Sequence, residues 1–201
     1  MDLADELKAA VAPAHATIEA LPFSRALADA TVTRAGYIAL LGQLWHVHDA
    51  VEAELDRHAL PLYRREMARR ETLARDRAAL GADGPVDPPT ATTEALAARI
   101  RSWSADEPAA LLGALYVLEG SKMGSMVLAR TVARALGVPP GPGRGLDYHL
   151  TGIADRPQAW RQFRGEINAL DLTAAERAAL VRGATATMAG LVGLYETIGG
   201  L

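Results

Sequence analysis

Two glycines, each followed by a serine, lie four residues apart: Gly120-Ser121 and Gly124-Ser125. A glycine inside a helix costs about 1 kcal/mol relative to alanine, so the pair forgoes roughly 2 kcal/mol of helix stability. The spacing of four places both glycines on one helix face and leaves a strip without side chains. Another backbone or a flat ligand can approach such a strip closely. Two interpretations therefore remain open: close helix–helix packing and a ligand-binding wall.

His15 is the other residue whose type suggests chemistry. An imidazole that faces a cavity can ligate iron through one ring nitrogen, although a helical histidine can equally be exposed or hydrogen-bonded within a core. His46 and His48 are two residues apart in a predicted helix and point in different directions, so they do not form an i, i+4 metal-binding pair. His58 and His149 have no partner at ligand spacing, and we expect them at the surface or in loops.

Composition and charge exclude several classes of function. The chain has 201 residues, no cysteine and a formal net charge of -3. That charge disfavours binding to nucleic acid or to an anionic membrane, because both need a concentrated positive face. Without cysteine, the chain has no disulfides, thiolate nucleophiles or cysteine-ligated metals. The N-terminus lacks the features of a signal peptide and no stretch approaches roughly 20 apolar residues, so we expect a cytoplasmic protein without a membrane span.

The elements that must position these residues are helices. Apolar residues recur at three- and four-residue steps and no convincing strand is found, which predicts an all-α fold in a single domain over residues 1–201. The clearest helix begins after Thr33, a predicted N-cap, and the long glycine-bearing helix covers residues 108–136. Pro13 should kink or divide the first helix, which covers residues 2–19. Charges that alternate in sign over residues 64–77 predict a solvated helix face.

Five segments carry a resemblance to a known family. They are residues 14–19 (AHATIE), 32–37 (VTRAGY), 44–48 (LWHVH), 52–55 (EAEL) and 116–124 (YVLEGSKMG). In order and spacing they resemble the heme oxygenase family, especially its bacterial biliverdin-forming branch, over nearly the whole chain. The strongest element is residues 116–124, which is similar to the distal-helix signature of those enzymes. His15, with Glu19 four residues later, matches the proximal histidine of the family.

The resemblance implies where heme would be held. The expected fold is a single-domain helical bundle, with heme between the first helix and a long helix kinked at its two glycines. By this resemblance His15 is the axial ligand of the heme iron, and Glu19 belongs to the same binding set. Lys8, two helical turns before His15, and Arg164 match family positions that meet the propionates. Arg130 corresponds to a basic residue that some bacterial members use.

The resemblance also implies the catalytic candidates, which are Gly120, Gly124, Ser121 and His48. The bare glycines would let the helix backbone crowd bound O₂ and bend it toward the edge of the porphyrin, while ordered water supplies the proton. Ser121 stands where mammalian-type members carry a distal aspartate, and His48 stands where relatives often place a tyrosine. Lys122 replaces a small polar residue and is expected to point away from the heme.

The implied reaction uses heme as both substrate and cofactor. An external donor reduces the iron, and O₂ then oxygenates a meso carbon of the porphyrin, yielding biliverdin, ferrous iron and CO. The chain has no flavin or nicotinamide motif, so electrons would come from a ferredoxin, a flavodoxin or a reductase. A link to a bacteriophytochrome, which would take the biliverdin, is a further expectation. The alternative function is a heme-binding carrier or sensor that keeps the fold but has no turnover.

Overall fold

The structure, a computed structural model, describes residues 2–200 apart from the side chains of Ser104, Asp106 and Met126. Within that range it contains nine α-helices, a short 3₁₀ turn at Arg65–Met67 and no strand. The helices are α1 (Leu3–Ala20), α2 (Pro22–Ala28), α3 (Arg34–His58), α4 (Arg70–Ala79), α5 (Ala91–Asp106), α6 (Ala109–Leu136), α7 (Asp147–Leu150), α8 (Arg156–Asn168) and α9 (Ala174–Gly199).

Helix starts follow the capping chemistry of the sequence. The Thr33 hydroxyl accepts the N–H of Gly36 at 3.0 Å, so the predicted N-cap of α3 is confirmed. Thr173 and Glu176 form a capping box at the start of α9, in which each side chain satisfies an N–H at the other position. Gly137, in the left-handed conformation, ends α6.

The core centres on the crossing of α6 and α9, where glycine allows the two backbones to touch. A Cβ added at Gly113 would lie 2.1 Å from the backbone oxygen of Leu180. A Cβ at Gly183 would lie 2.1 Å from the backbone oxygen of Ala110. Real Cβ atoms do not approach other heavy atoms so closely, and these two positions therefore require glycine. Close packing along α6 uses Gly113, seven residues before Gly120.

Helix α1 is tied to the bundle near its N-terminus. The Ala4 N–H donates to the side-chain oxygen of Asn168 in α8 at 2.8 Å. Arg164, also in α8, donates to Asp5 at 2.7 Å. The expectation that Pro13 divides this helix is wrong, because α1 runs unbroken from Leu3 to Ala20. Its second half, which carries His15, extends from these contacts along one side of a cavity.

The charged segment over residues 64–77 is only in part the solvated face that its charge pattern predicted: Arg65, Glu66, Glu71 and Arg75 are exposed. Arg69, Asp76 and Arg77 are all buried, with Asp76 only 1 % exposed. Alternating charge is a good guide to a solvated face only when no other element needs those charges. Here α4 packs against both α3 and α7, and Asp76 binds the backbone of α7.

Helix α9 is long and apolar enough to satisfy a length and composition test for a membrane span, although the sequence showed no such stretch by inspection. Its apolar residues Leu180, Ala184 and Leu194 are fully buried. Helix α9 packs against α1, α2, α3, α5 and α6. Helix α9 therefore has the packing of a core helix.

Candidate active site

A cavity of about 820 Å³ opens between α1 and α6, with α2, α7, α8, α9 and Leu44 of α3 closing its remaining sides. Cavities that bind small ligands have volumes of about 300–1,000 Å³ and are mostly apolar. This one is lined largely by apolar side chains, such as Val11, Leu27, Leu128, Met188 and Leu191. Its size and lining suit a large, flat and largely apolar molecule.

The wall formed by α1 carries the sequence-predicted residues His15, Lys8 and Glu19, and all three line the cavity. The His15 side chain is 52 % exposed, so its ring is open to the cavity. Its Nδ1 lies 3.6 Å from a Glu19 carboxylate oxygen, which is close enough to attract an Nδ1 proton but too long for a hydrogen bond. A proton held on Nδ1 leaves the Nε2 lone pair free to ligate a metal.

The opposite wall is the strip of α6 that contains Gly120 and Gly124. A Cβ at Gly124 would meet no protein atom within 4 Å. A Cβ at Gly120 would meet only the Trp160 ring, at 3.3 Å. Neither glycine lies against another backbone, unlike Gly113 on the same helix. The close-packing interpretation is therefore wrong for Gly124, whereas Gly120 packs tightly against Trp160 of α8; both glycines line the cavity.

Ser121 and Ser125 also line this wall. Both hydroxyls bind the backbone of α6: Ser121 donates to the Leu118 oxygen at 2.7 Å and Ser125 to the Ser121 oxygen at 3.4 Å. Serine and threonine commonly satisfy their hydroxyl proton in this way inside helices. The two serines therefore add little free hydrogen-bond donation to the wall.

Two residues of α7, Tyr148 and His149, complete the cavity wall and were missed as site residues. The expectation that His149 lies at the surface or in a loop is wrong, since only 3 % of it is exposed. Burial, and then the charge of Arg156, lower its pKa to about 4, so the ring is neutral at pH 7. Neither ring nitrogen has a hydrogen-bond partner among the described residues. The signal in the sequence was its position between Tyr148 and Leu150, in a short apolar run.

Two buried charges hold α7 in place. The Asp76 carboxylate accepts the N–H groups of Asp147 at 2.9 Å and Tyr148 at 2.7 Å. At the other end, the Arg156 guanidinium donates to the backbone oxygens of His149 at 3.0 Å and of Thr151 at 2.8 Å. Asp76 thus pairs with unbonded N–H groups at the N-terminus of α7, and Arg156 pairs with unbonded carbonyl oxygens at its C-terminus. A negative charge at the N-terminus of a helix and a positive charge at its C-terminus are both stabilising. The orientation of the Tyr148 and His149 side chains follows from this clamp.

Arg156 also reaches the glycine-bearing wall, because it donates to the backbone oxygen of Lys122 at 2.7 Å. The Lys122 side chain turns the other way and donates to Glu119 and, at 3.2 Å, to the Met67 oxygen. The prediction that Lys122 points away from the ligand site is confirmed, since it does not line the cavity. Burial lowers its pKa to about 8.

His48, a catalytic candidate, does not line the cavity but lies directly behind it. Its Nε2 is 3.4 Å from the Tyr148 hydroxyl and its Nδ1 is 3.0 Å from Glu52. Burial lowers the pKa of His48, although Glu52 opposes this shift. The structure therefore brings His48 to the cavity through Tyr148 and not by direct contact.

The two predicted arginines also lie outside the cavity lining. Arg130 is exposed on α6, one and a half turns beyond Gly124. Arg164 is about one-third exposed and paired with Asp5. Their assignment to the propionates stays a prediction.

The fold and the cavity define a class of protein: a helical bundle with a largely apolar cavity between a histidine-bearing helix and a glycine-bearing helix. The family model described as heme oxygenase matches residues 1–191. The chain belongs to the heme oxygenase family.

Individual relatives agree with the family assignment. The chain is 27 % identical to heme oxygenase 1 from Pongo abelii, over 98 % of this chain and 72 % of that protein. The structure of a heme oxygenase from Leptospira interrogans matches with a TM-score of 0.88 and 23 % identity, covering 98 % of this chain and all of that one. Heme oxygenase-1 from Synechocystis, in complex with heme, has the same TM-score at 20 % identity, covering 100 % and 93 % of the two chains. The predicted family, all-α fold and class of enzyme, an oxidoreductase acting on heme, are confirmed.

Proposed function

We propose that this chain binds heme between His15 and the Gly120–Gly124 strip and cleaves it, with O₂ and an external reductant, to biliverdin, ferrous iron and CO. One observation carries the assignment of the site. A single cavity has an open imidazole on one wall, and on the other wall a glycine whose missing side chain leaves protein-free space. Glycine lowers helix stability relative to alanine, and its presence at this position is explained if a flat ligand must lie against the helix backbone.

The residues present fit heme. His15 offers a ring nitrogen with Glu19 beside Nδ1, which is the usual arrangement of a metal-ligating histidine and an acidic partner. Bound heme supplies the iron and the porphyrin that O₂ oxidises. The apolar lining holds the macrocycle and keeps bulk water from it.

Cations at one edge of the cavity would meet the two propionates. Lys8 lines the cavity on the same wall as His15, at a spacing of two helical turns. Arg164 reaches a propionate only if it exchanges Asp5 for it, because its guanidinium is paired with that carboxylate at 2.7 Å. Arg130 is exposed and free to serve a propionate or a partner protein.

Gly120 and Gly124 contribute to the reaction through the shape of the cavity wall and not through a reactive side chain. With no side chain at Gly124, the α6 backbone lies next to the ligand-binding face and leaves room for O₂ only close to the porphyrin. An acid–base pair at this wall would favour cleavage of the O–O bond over attack on the ring. The serine hydroxyls here bond the helix backbone, and Ser121 also bonds Tyr148, so the wall supplies no strong acid.

The remaining parts of the proposal concern partners. The reductant would be a ferredoxin, a flavodoxin or a reductase, and the biliverdin would serve a bacteriophytochrome. The proposed location is the cytoplasm.

Hemin titration followed by turnover tests the proposed function. Purified protein and the variant His15→Ala are titrated with hemin and the Soret band is recorded. Ascorbate or a ferredoxin system is then added with O₂, together with catalase to remove free peroxide. We expect a stoichiometric complex that decays to biliverdin absorption in the unmodified protein and fails to do so in His15→Ala.

His46→Ala is the matched control, because His46 lies outside the cavity and bonds only the Asp87 backbone oxygen among the described contacts. It should behave as the unmodified protein. A complex that persists under every donor would contradict turnover and support the carrier or sensor alternative. A variant His15→Ala that binds and degrades heme normally would contradict the ligand assignment.

A further inference from the structure

A buried hydrogen-bond chain leads from the cavity wall into α3. It begins at the Tyr148 hydroxyl, which is 3.4 Å from His48 Nε2, and continues from His48 Nδ1 to Glu52 Oε1 at 3.0 Å. Tyr148 and His48 are only 6 % and 3 % exposed. Tyr148 lines the cavity, whereas His48 and Glu52 do not. Each group in this chain has a hydrogen-bonding neighbour, and these neighbours limit which atom can carry each proton.

The Glu52 end of the chain accepts hydrogen bonds. Its Oε1 accepts the backbone N–H of Arg69 at 2.6 Å and that of Arg70 at 3.1 Å. Burial alone would raise the pKa of Glu52, but the hydrogen bonds from His48 and from these two N–H groups lower it. Glu52 is therefore an anion that offers only lone pairs to its neighbours. The His48 nitrogen facing it must carry a hydrogen.

His48 is neutral, because burial lowers its pKa and the nearby cations Lys122 and Arg69 lower it further. A neutral imidazole has one N–H and one lone pair. With its hydrogen on Nδ1, facing Glu52, His48 presents the lone pair of Nε2 to Tyr148. Two neighbours can then take the Tyr148 O–H: the Nε2 lone pair of His48 and the Ser121 hydroxyl. Burial raises the pKa of Tyr148 to about 12, so the proton stays on the phenol.

We propose that Tyr148 faces the cavity as a hydrogen-bond acceptor only, because Glu52 and His48 direct its hydroxyl proton away from the cavity. In this arrangement the Tyr148 proton lies on the His48 side, and the Tyr148 oxygen accepts the side-chain hydrogen bond that it shares with Ser121 at the cavity wall. Glu52 and His48 are positioning residues that act through Tyr148. Nothing in the sequence pattern singled out Tyr148.

The consequence for the reaction rests on the proposed function. A phenol that pointed its proton into the cavity would be a hydrogen-bond donor at the wall that carries the glycine strip. With the proton turned outward, the acid at this wall is water, and Tyr148 can accept a hydrogen bond from that water and fix its position. The arrangement keeps a polar residue at the wall without giving the wall an acid.

The tautomer of His48 in the protein without heme is the first test. Nitrogen-15 NMR of uniformly labelled protein distinguishes a protonated ring nitrogen from a bare one, and the His48 signals are those lost in His48→Phe. We expect the hydrogen on Nδ1. A hydrogen on Nε2 would overturn the proposal, since His48 would then donate to the Tyr148 oxygen. The Tyr148 O–H would then no longer be directed at His48 and would point toward the cavity.

A second test uses carbon monoxide as a probe in the hemin-loaded, reduced protein. A hydrogen-bond donor near the bound CO lowers its C–O stretching frequency. In His48→Phe the Tyr148 hydroxyl loses its acceptor and turns into the cavity, so the frequency should fall. The double variant His48→Phe, Tyr148→Phe has no hydroxyl to turn, and it should show no such fall. His46→Phe, two residues earlier on α3 and outside the cavity, is the matched control and should match the unmodified protein.

The outcomes separate this inference from the proposed function. Equal frequencies in the unmodified protein and in His48→Phe would overturn the inference, as would the same fall in the single and double variants. A protein that binds no hemin would contradict the proposed function, while the His48 tautomer would still decide the direction of the Tyr148 proton.

Discussion

Two glycines on one helix, Gly113 and Gly124, should respond in opposite ways to the same substitution. In Gly124→Ala the new methyl group meets no protein atom within 4 Å, so the variant gains the helix propensity of alanine, about 1 kcal/mol. In Gly113→Ala the methyl lies 2.1 Å from the Leu180 oxygen, and α6 and α9 must separate by roughly 1 Å. Overpacking of this kind costs about 1–3 kcal/mol or more.

Urea unfolding of the heme-free protein, followed by far-ultraviolet circular dichroism, measures both effects. With a slope of about 2 kcal/mol per molar urea, Gly124→Ala should raise the midpoint by about 0.5 M, and Gly113→Ala should lower it by at least as much. The same methyl in Gly124→Ala occupies ligand space, and we expect turnover of heme to fall about tenfold, equivalent to about 1.4 kcal/mol. A Gly124→Ala variant that is less stable than the unmodified protein, or as active, would refute the reasoning.

Three further predictions concern charges around the cavity. Burial raises the pKa of Asp76 to about 6, so protonated Asp76 stabilises the folded protein below pH 3.8, and this contribution is lost as the pH rises through 6. Burial lowers the pKa of His149 to about 4, so neutral His149 contributes to the stability of the folded protein at pH 6.5, and this contribution is lost as the pH falls through 4. Asp76→Asn should therefore steepen the rise of the unfolding free energy between pH 4 and 6.5, and His149→Phe should flatten it; unchanged slopes in denaturant titrations would contradict this. Arg156→Lys should lower the unfolding free energy by about 3 kcal/mol, because a buried guanidinium that satisfies three backbone oxygens is lost. Amide hydrogen exchange in α7 should become faster in this variant. Unchanged exchange rates in α7 would contradict the role of Arg156 in holding this helix. Asp5→Asn should release Arg164 and strengthen hemin binding by up to about fivefold, since an exposed pair is worth at most about 1 kcal/mol; unchanged affinity in a hemin titration would speak against a propionate role for Arg164.

The helices could be predicted because their signals are local. Thr33 caps α3 and Gly137 ends α6 through contacts within a few residues, and both are visible in the sequence. Pro13 misled the prediction, because a helix supported by tertiary contacts tolerates a proline that an isolated helix does not. Asp76 misled it as well, since its burial depends on α7, which lies some 70 residues away in sequence.

The site could be predicted in part for the same reason. His15 and Gly124 carry patterns that point to a ligand, and the family resemblance related them to each other. Tyr148 and His149 carry no such pattern, because their place on the cavity wall depends on the clamp that Asp76 and Arg156 build around a four-residue helix. Sequence spacing also could not distinguish Gly113 from Gly124: only the distances to neighbouring atoms show which glycine faces a backbone and which faces open space.

The open space beside Gly124 has an evolutionary consequence. Folding places no demand on this position, so natural selection can preserve its glycine only through the ligand. Once turnover ceased to matter, a single base change could introduce a larger residue and leave the bundle intact. The position therefore separates the two demands on the sequence: a substitution there changes the space beside the ligand and leaves the packing of the bundle unchanged.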